Sequence, residues 1–549
     1  MRERAPTILV FFAPLLVAAC AGRSPATSGS DAARDAITAG GGASGTGGSG
    51  AGGSGAGGSG PTGAGGGAAG GMGGGSDGGA GRAMDGGADR GAMGGMMRGP
   101  VTAAPGTTII KVDTSSHHQH FEGWGTSLCW WANHVGGWAE AKRNALVDNL
   151  VDATNGLGYN VFRYNIGGGD DPTHTHMGQF KNIPGFEPSS GTWDWTADAN
   201  QRAILQRIVT SGTGVVLEAF SNSPPYWMTN SGCASGATNG ANNNLRDDSY
   251  NAFADYLTEV VKHFRDTFGI TFRTLEPLNE PNATWWVANG GQEGCRFAAA
   301  NQQTILKAVS ASLTAKGLTG TTVSASDENS IDDGYNIMHG YDATTLAGMS
   351  QMNVHTYSGS MRTNLRALAT TDGKRLWVSE SGPLNQTLAD DTAAAVFMAG
   401  RIMTDLRDLQ AEAWVDWQSG DPSANWASYT LNDAQQSFGF LRRFYMHAAF
   451  SRYIRPGATF VDVNNANAVA AVSPDGSRLA IVVLNASTTA SAGFTFDLTS
   501  LPTVGAAAEV HRVSRNENLV ALTALPIQGF SFVATVAPYS ITTFVVPMP

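Results

Sequence analysis

Between residues 121 and 417 the chain repeats one alternation eight times: a short apolar, β-branched run that stops at polar or glycine-rich residues, then a stretch with helical periodicity. The strand-like runs are 121–125, 161–164, 215–220, 274–278, 322–326, 352–355, 376–379 and 413–417. Helix-like stretches lie between them at 139–153, 198–210, 248–268, 298–316 and 392–409. Short apolar runs bounded by turn residues read as buried strands, and apolar residues three and four apart as helices packed on them. Eight such units close into a ring more readily than they spread as an open sheet. The expected fold is therefore α/β, a (β/α)8 TIM barrel over residues 105–445.

The pattern changes on both sides of this region. Residues 446–549 carry short β-rich runs at 459–463, 468–472, 479–484, 492–497, 508–513, 530–536 and 540–546, with a turn at Pro474-Asp475-Gly476. They read as an all-β sandwich, and an edge strand at 107–112 is expected to join it. Residues 1–20 pair Arg2 and Arg4 with an apolar run too short to span a bilayer, as a signal peptide does. That run ends Val17-Ala18-Ala19-Cys20-Ala21-Gly22, similar to a lipobox, so Cys20 is the expected lipidation site and the protein an exported envelope lipoprotein, or otherwise secreted. Residues 21–104 are almost entirely Gly, Ala and Ser with scattered charges, the composition of a flexible tether. Within it, residues 50–55 match a dinucleotide-binding pattern by composition alone, with no strand before them and no helix after.

Composition excludes some functions. The net charge is -11 and only 14% of residues are charged, which leaves no basic surface for nucleic acid. Four cysteines form no Cys-x-x-Cys pair, so no zinc-finger or thioredoxin-like motif is present. Cys233 and Cys295 both sit in loop sequence, and an exported protein would oxidise them to a disulfide, leaving Cys129 as a buried thiol.

Catalytic groups of a closed barrel sit at the C-terminal ends of its strands. The fourth run ends Leu278-Asn279-Glu280-Pro281 and the seventh Val378-Ser379-Glu380-Ser381, so each brings a carboxyl to the mouth. Two carboxyls facing each other across a sugar can cleave a glycosidic bond, one as acid and one as nucleophile. That chemistry calls for no metal and no cofactor. Trp124, Trp130, Trp131, Trp227, Trp285, Trp286 and Trp417 lie at or near strand ends, where their rings could stack on sugar faces. His174 and His176, in the loop carrying Asp170 and Asp171, are read as substrate contacts ahead of a metal site, and Glu218, Glu276 and Asp416 as structural.

The Asn279-Glu280-Pro281 motif and the Glu380 strand resemble the retaining barrel hydrolases of glycoside hydrolase clan A. Phe121-Glu122-Gly123-Trp124-Gly125-Thr126-Ser127, Arg163-Tyr164-Asn165-Ile166-Gly167-Gly168-Gly169, Ser223-Pro224-Pro225-Tyr226-Trp227-Met228 and Val354-His355-Thr356-Tyr357 resemble family 30 of that group. The resemblance implies that Glu280 is the acid/base, with a raised pKa, and Glu380 the nucleophile, held ionised by Arg163 and Tyr357. It implies that Asn279 bonds the sugar 2-hydroxyl, and that His355, Trp227, Trp417, Trp124, Asn222 and Asp171 help bind substrate. Ser127-Leu128-Cys129-Trp130-Trp131-Ala132 and Asp170-Asp171-Pro172-Thr173-His174 look most like the endo-β-1,6-galactanase branch, whose members trim the galactan side chains of arabinogalactan. Exo-acting galactobiohydrolases and β-1,6-glucanases remain alternatives, as does a non-catalytic glycan-binding lipoprotein. The expected partner is a poly- or oligosaccharide, and the expected state a monomer.

Overall fold

The computed structural model describes residues 98–384, 386, 388–421 and 426–549. The signal-like segment, Cys20 and all of the tether before residue 98 lie outside the described residues. No helix among those described is long and apolar enough to cross a membrane.

The first strand, β1 (Thr108–His120), does not enter the barrel. Eight parallel strands then close the ring in chain order: β2 (Gly123–Ser127), β3 (Val161–Asn165), β4 (Val216–Phe220), β5 (Thr274–Glu276), β6 (Thr322–Ser330), β7 (Met349–Ser358), β8 (Arg375–Glu380) and β9 (Ala413–Asp416). β9 pairs back onto β2, with Gly123 opposite Ala413 and Thr126 opposite Asp416. On the other side of β2, Gly125 is required opposite β3, because a Cβ there would sit 1.9 Å from the Val161 carbonyl oxygen.

The longest crossover helix, Tyr250–Phe268, buries Phe253, Leu257, Val260, Val261 and Phe264 against the ring, the stripe its periodicity implied. It stops at Gly269, whose φ of 68° lets its N–H reach back to Arg265. The helix Asp391–Thr404 starts at an Asp390 cap and runs on into a π turn at Asp405–Leu409, so the single long helix expected there is divided.

A small sheet follows the ring: β10 (Gly420–Asp421), β11 (Tyr429–Asn432) and β12 (Ser437–Phe440). The last barrel helix, Arg442–Ser451, leads into β13 (Thr459–Val463), β14 (Ala468–Val472), β15 (Arg478–Asn485), β16 (Ala492–Asp497), β17 (Ala507–Ser514), β18 (Glu517–Pro526), β19 (Ser531–Val536) and β20 (Ser540–Pro547). Of these, β18 was not anticipated: its pairing with β17 leaves it largely exposed on the sheet edge, with no run of buried residues to betray it. β1 joins both layers, lying parallel to β16 through Thr108–Lys111 and antiparallel to β13 from Val112 onward. Between the layers Phe496 stacks on Phe532 and meets Phe544, forming a core of their own.

Two sequence expectations are corrected here. Trp124, the second residue of β2, lies at the N-terminal end of the ring, is buried against Phe121 and Phe450, and donates its indole N–H to the Ile454 carbonyl. It ties the barrel floor to the chain that follows the last helix and cannot touch a sugar at the opposite end. Cys233 and Cys295 form no disulfide. The Cys295 thiol lies buried among the backbone groups of Asn244 and Leu245, while Cys233 turns to His174. The two cysteines lie in different loops and are packed toward different partners.

Candidate active site

The mouth of the ring gathers charged side chains from β3, β5, β6, β7 and β8. Glu380 is the last residue of β8, and Tyr357 near the end of β7 donates its hydroxyl to Glu380 Oε1 at 2.7 Å. Glu280 follows β5 with a φ of 46°, a left-handed conformation that costs a non-glycine residue free energy. It is held there by its own N–H on the Asp327 carbonyl, by the Trp286 indole on its carbonyl, and by the Asn329 amide, which donates to Oε1 at 2.6 Å. His355 sits between the two carboxyls, with Nδ1 3.2 Å from Glu280 Oε1 and 3.5 Å from Glu380 Oε1. One oxygen of each carboxyl and a His355 ring nitrogen thus lie within 4.8 Å of one another.

Beneath this pair runs a polar barrel core. Arg163 on β3 is fully buried; Nε donates to Glu218 at 2.8 Å, Nη2 to Asp327 at 2.5 Å and Nη1 to the Ser379 carbonyl at 3.1 Å. Its Nη1 is 3.6 Å from Glu380 Oε2, an ion pair that lacks hydrogen-bond reach. The direct donor to Glu380 is therefore Tyr357, with Arg163 acting through charge. Glu218 also accepts from Thr274, Ser324, Gln351 and Asn353, which makes it the structural carboxylate expected.

Burial pushes the Glu380 carboxyl up, to about 7; His355 pulls it down, Glu280 adds to the rise and Arg163 opposes it. Burial works against the charge on His355, yet Glu380 and Asp327 outweigh it and carry the ring up to about 10. Asp327 is held down at about 2 against its burial by Arg163 and His355. The two carboxylates thus favour the imidazolium form of His355 between them. The rate constant kcat/KM is expected to fall as pH drops below about 7, where Glu380 takes up its proton. In His355→Gln that limb should move to higher pH, since the cation that lowers Glu380 is gone; a pH–rate profile in which it stays put or moves to lower pH refutes this.

Asn279 is buried at the mouth with an Oδ1 that no protein group satisfies, as a hydroxyl-binding side chain would leave it. Trp417 meets Trp130 edge to face at 5.1 Å, in a cluster with Cys129, Ile183, Phe220 and the partly buried Trp426. Tyr357 and Trp426 have ring centroids 6.5 Å apart, which extends that wall toward Glu380. Asn222, two residues past β4, lies beside the Cys129 thiol. Trp227 packs on the main core and spends its N–H on the Glu187 carbonyl, and Asp171 spends its carboxylate on a turn with Thr173. Asp416 pairs with Arg443 and His447 and is structural.

Asp327, Asn329 and Trp426 were missed by sequence reading. Ser326-Asp327-Glu328-Asn329 is a polar cluster at the end of a strand, a usable signal, but the apolar run stops at Ser326 whereas β6 continues to Ser330.

Residues 107–371 match the model of O-glycosyl hydrolase family 30. An endo-β-1,6-galactanase of Hypocrea rufa is 32% identical over 429 residues, covering 73% of this chain and 86% of that protein. An exo-β-1,6-galactobiohydrolase of Bifidobacterium longum is 26% identical over 422 residues, 58% of this chain and 27% of that protein. Among solved structures, a conserved exported protein from Bacteroides fragilis superposes with a TM-score of 0.71 at 18% identity, over 80% of this chain and 100% of its own. With its ring of eight strands and its paired carboxyls at the mouth, the chain belongs to O-glycosyl hydrolase family 30 and is an O-glycosidase.

Proposed function

We propose that the protein is a retaining endo-β-1,6-galactanase acting on the galactan side chains of arabinogalactan. The observation that carries the mechanism is the approach of the Glu280 and Glu380 carboxyls, with oxygens within 4.8 Å of each other through His355. Retaining pairs stand about 5 Å apart, whereas inverting pairs need at least about 6.5 Å to admit a water between sugar and base.

In the first step a Glu380 oxygen bonds to the anomeric carbon while the C1–O6 bond breaks and the Glu280 proton goes to the departing oxygen. In the second, water attacks that carbon, Glu280 takes its proton and Glu380 leaves. Tyr357, His355 and Arg163 converge on Glu380 and favour its ionised form; burial favours the neutral one, and the balance falls near pH 7. Asn279 contacts the 2-hydroxyl, and Trp417 with Trp130 supplies an apolar sugar platform. The choice of galactan rests on the similarity to the Hypocrea rufa enzyme over most of its length. The Bifidobacterium longum relative keeps an exo-acting galactobiohydrolase as the second reading. The protein works as an exported monomer, anchored through Cys20 in the cell envelope.

The test is a time course on arabinofuranosidase-treated arabinogalactan beside β-1,6-glucan and glucuronoxylan. A ladder of β-1,6-galacto-oligosaccharides from the first minutes, released as the β-anomer by NMR, is expected. Disaccharide alone from the start favours the exo reading, an α-anomer removes retention, and release from another polymer alone removes the choice of sugar. Glu280→Gln should lose about 10²–10⁴-fold in kcat on galactan. It should lose little in the first step on a dinitrophenyl galactobioside, whose leaving group needs no proton, and azide should restore its turnover; an equal loss on both substrates would remove Glu280 as the acid.

A further inference from the structure

His174, His176 and Cys233 meet where three loops over the barrel mouth converge, those after β3, β4 and β5. The sequence reading assigned the two histidines to substrate; the fold turns them toward each other and a thiol. One ligand atom from each lies within 4.8 Å of the others. Cys233 Sγ is 3.6 Å from His174 Nδ1, and the two imidazole centroids are 4.5 Å apart. A tetrahedral zinc with sulfur at about 2.3 Å and nitrogen at about 2.0–2.1 Å holds those two atoms about 3.6 Å apart.

The second observation is behind His176. Its Nδ1 is 2.7 Å from the Gly290 carbonyl oxygen and its Nε2 is 2.5 Å from Asp170 Oδ2. Both partners are acceptors, so a neutral ring can donate to one of them alone. The Nε2 and Oδ2 atoms are buried, and their contact lacks hydrogen-bond alignment. Asp170 itself is fixed by the Ala234 N–H on Oδ1. A carboxylate or carbonyl behind a histidine is what sets the ring of a metal ligand.

We propose that His174, His176 and Cys233 bind one zinc ion, with Asp170 accepting the single N–H that a metal-bound His176 keeps, the other ring nitrogen exchanging the Gly290 carbonyl for the ion, and water completing the shell. Thiolate and imidazole together select zinc over calcium or magnesium. The ion is a staple between the three loops. Lys181, five residues after His176, lies over the Trp130 ring at 4.6 Å, so the staple bears on the aromatic wall rather than on the carboxyls. Its loss is expected to raise KM severalfold and to leave kcat nearly unchanged.

The full-length protein, stripped with chelator and dialysed against micromolar zinc, should retain about one zinc per chain by elemental analysis and gain several degrees in its unfolding midpoint. Cobalt in place of zinc should give a thiolate charge-transfer band. Cys233→Ser and His174→Ala should lose the bound zinc and the zinc-dependent rise in midpoint, with midpoints in chelator matching the parent; Cys233→Ser should also lose the band. Asp170→Asn should bind about 10–100-fold more weakly. Glu380→Gln should retain the ion, the band and the shift, which separates this site from the Glu280, His355 and Glu380 group. Absence of stoichiometric zinc, or zinc lost in Glu380→Gln and kept in Cys233→Ser, overturns the proposal and leaves a thiol bonded to a histidine beside an imidazolium–carboxylate pair.

Discussion

Replacing Glu380 with Gln is expected to abolish turnover of β-1,6-galactan, lowering kcat on the order of 10⁵- to 10⁶-fold. The amide keeps the shape of the side chain and can still meet the Tyr357 hydroxyl at the end of β8, so the fold should stand. What it loses is the lone pair that bonds to the anomeric carbon and the negative charge opposite the developing oxocarbenium ion. The substitution also removes a group that burial has pushed up to about 7, so the unfolding midpoint should hold or rise slightly at alkaline pH, where the parent must keep that carboxyl charged. Activity is measured as reducing ends released, and the fold by circular dichroism. Residual activity above about a thousandth of the parent would assign the nucleophile elsewhere.

Arg163→Met should be the most destabilising single change in the barrel, by about 3–5 kcal/mol. The guanidinium is fully buried between Glu218 and Asp327, both of which have no solvent exposure, and lies over the Phe220 ring. Methionine fills much of the volume but leaves these carboxylates without their cation. Asp327, held near 2 by Arg163 and His355, would rise, and so would the pKa of Glu380. A fall in the urea midpoint together with an acid limb moved to higher pH is the expected pair of results. Arg163→Lys should recover little of either, since one ammonium cannot reproduce three directed N–H donors. A midpoint within about 1 kcal/mol of the parent would show that the polar core relaxes around the loss.

Much of this protein was legible locally. Strand periodicity and strand-end polarity located all eight ring strands, because a buried parallel strand must be apolar along its length and must stop at the loops that carry chemistry. The same logic brought Glu280 and Glu380 to one end of the ring, and the aromatic residues after β9 to the same end. The β1 strand was expected at the sandwich for the same reason, and it lies there, joining both layers.

Other features depended on what packs against what. Trp124 and Trp417 look alike in sequence, each on a barrel strand or just past it, yet one sits at the floor and the other at the mouth, since a strand's two ends face opposite sides of the ring. Asp327 and Asn329 reach Arg163 and Glu280 because β6 runs on past its apolar part. The proton affinity of Glu380 followed from its burial and its charged neighbours, and the fate of Cys233 from the loop that happened to face it. Sequence alone determined the order of strands and helices and which carboxyls stand at the mouth, since these follow from backbone periodicity along a few neighbouring residues. Only the tertiary structure decided the partners of those carboxyls, their proton affinities and the pairing of the thiols, because contact and exclusion of water are set by residues far apart in the chain.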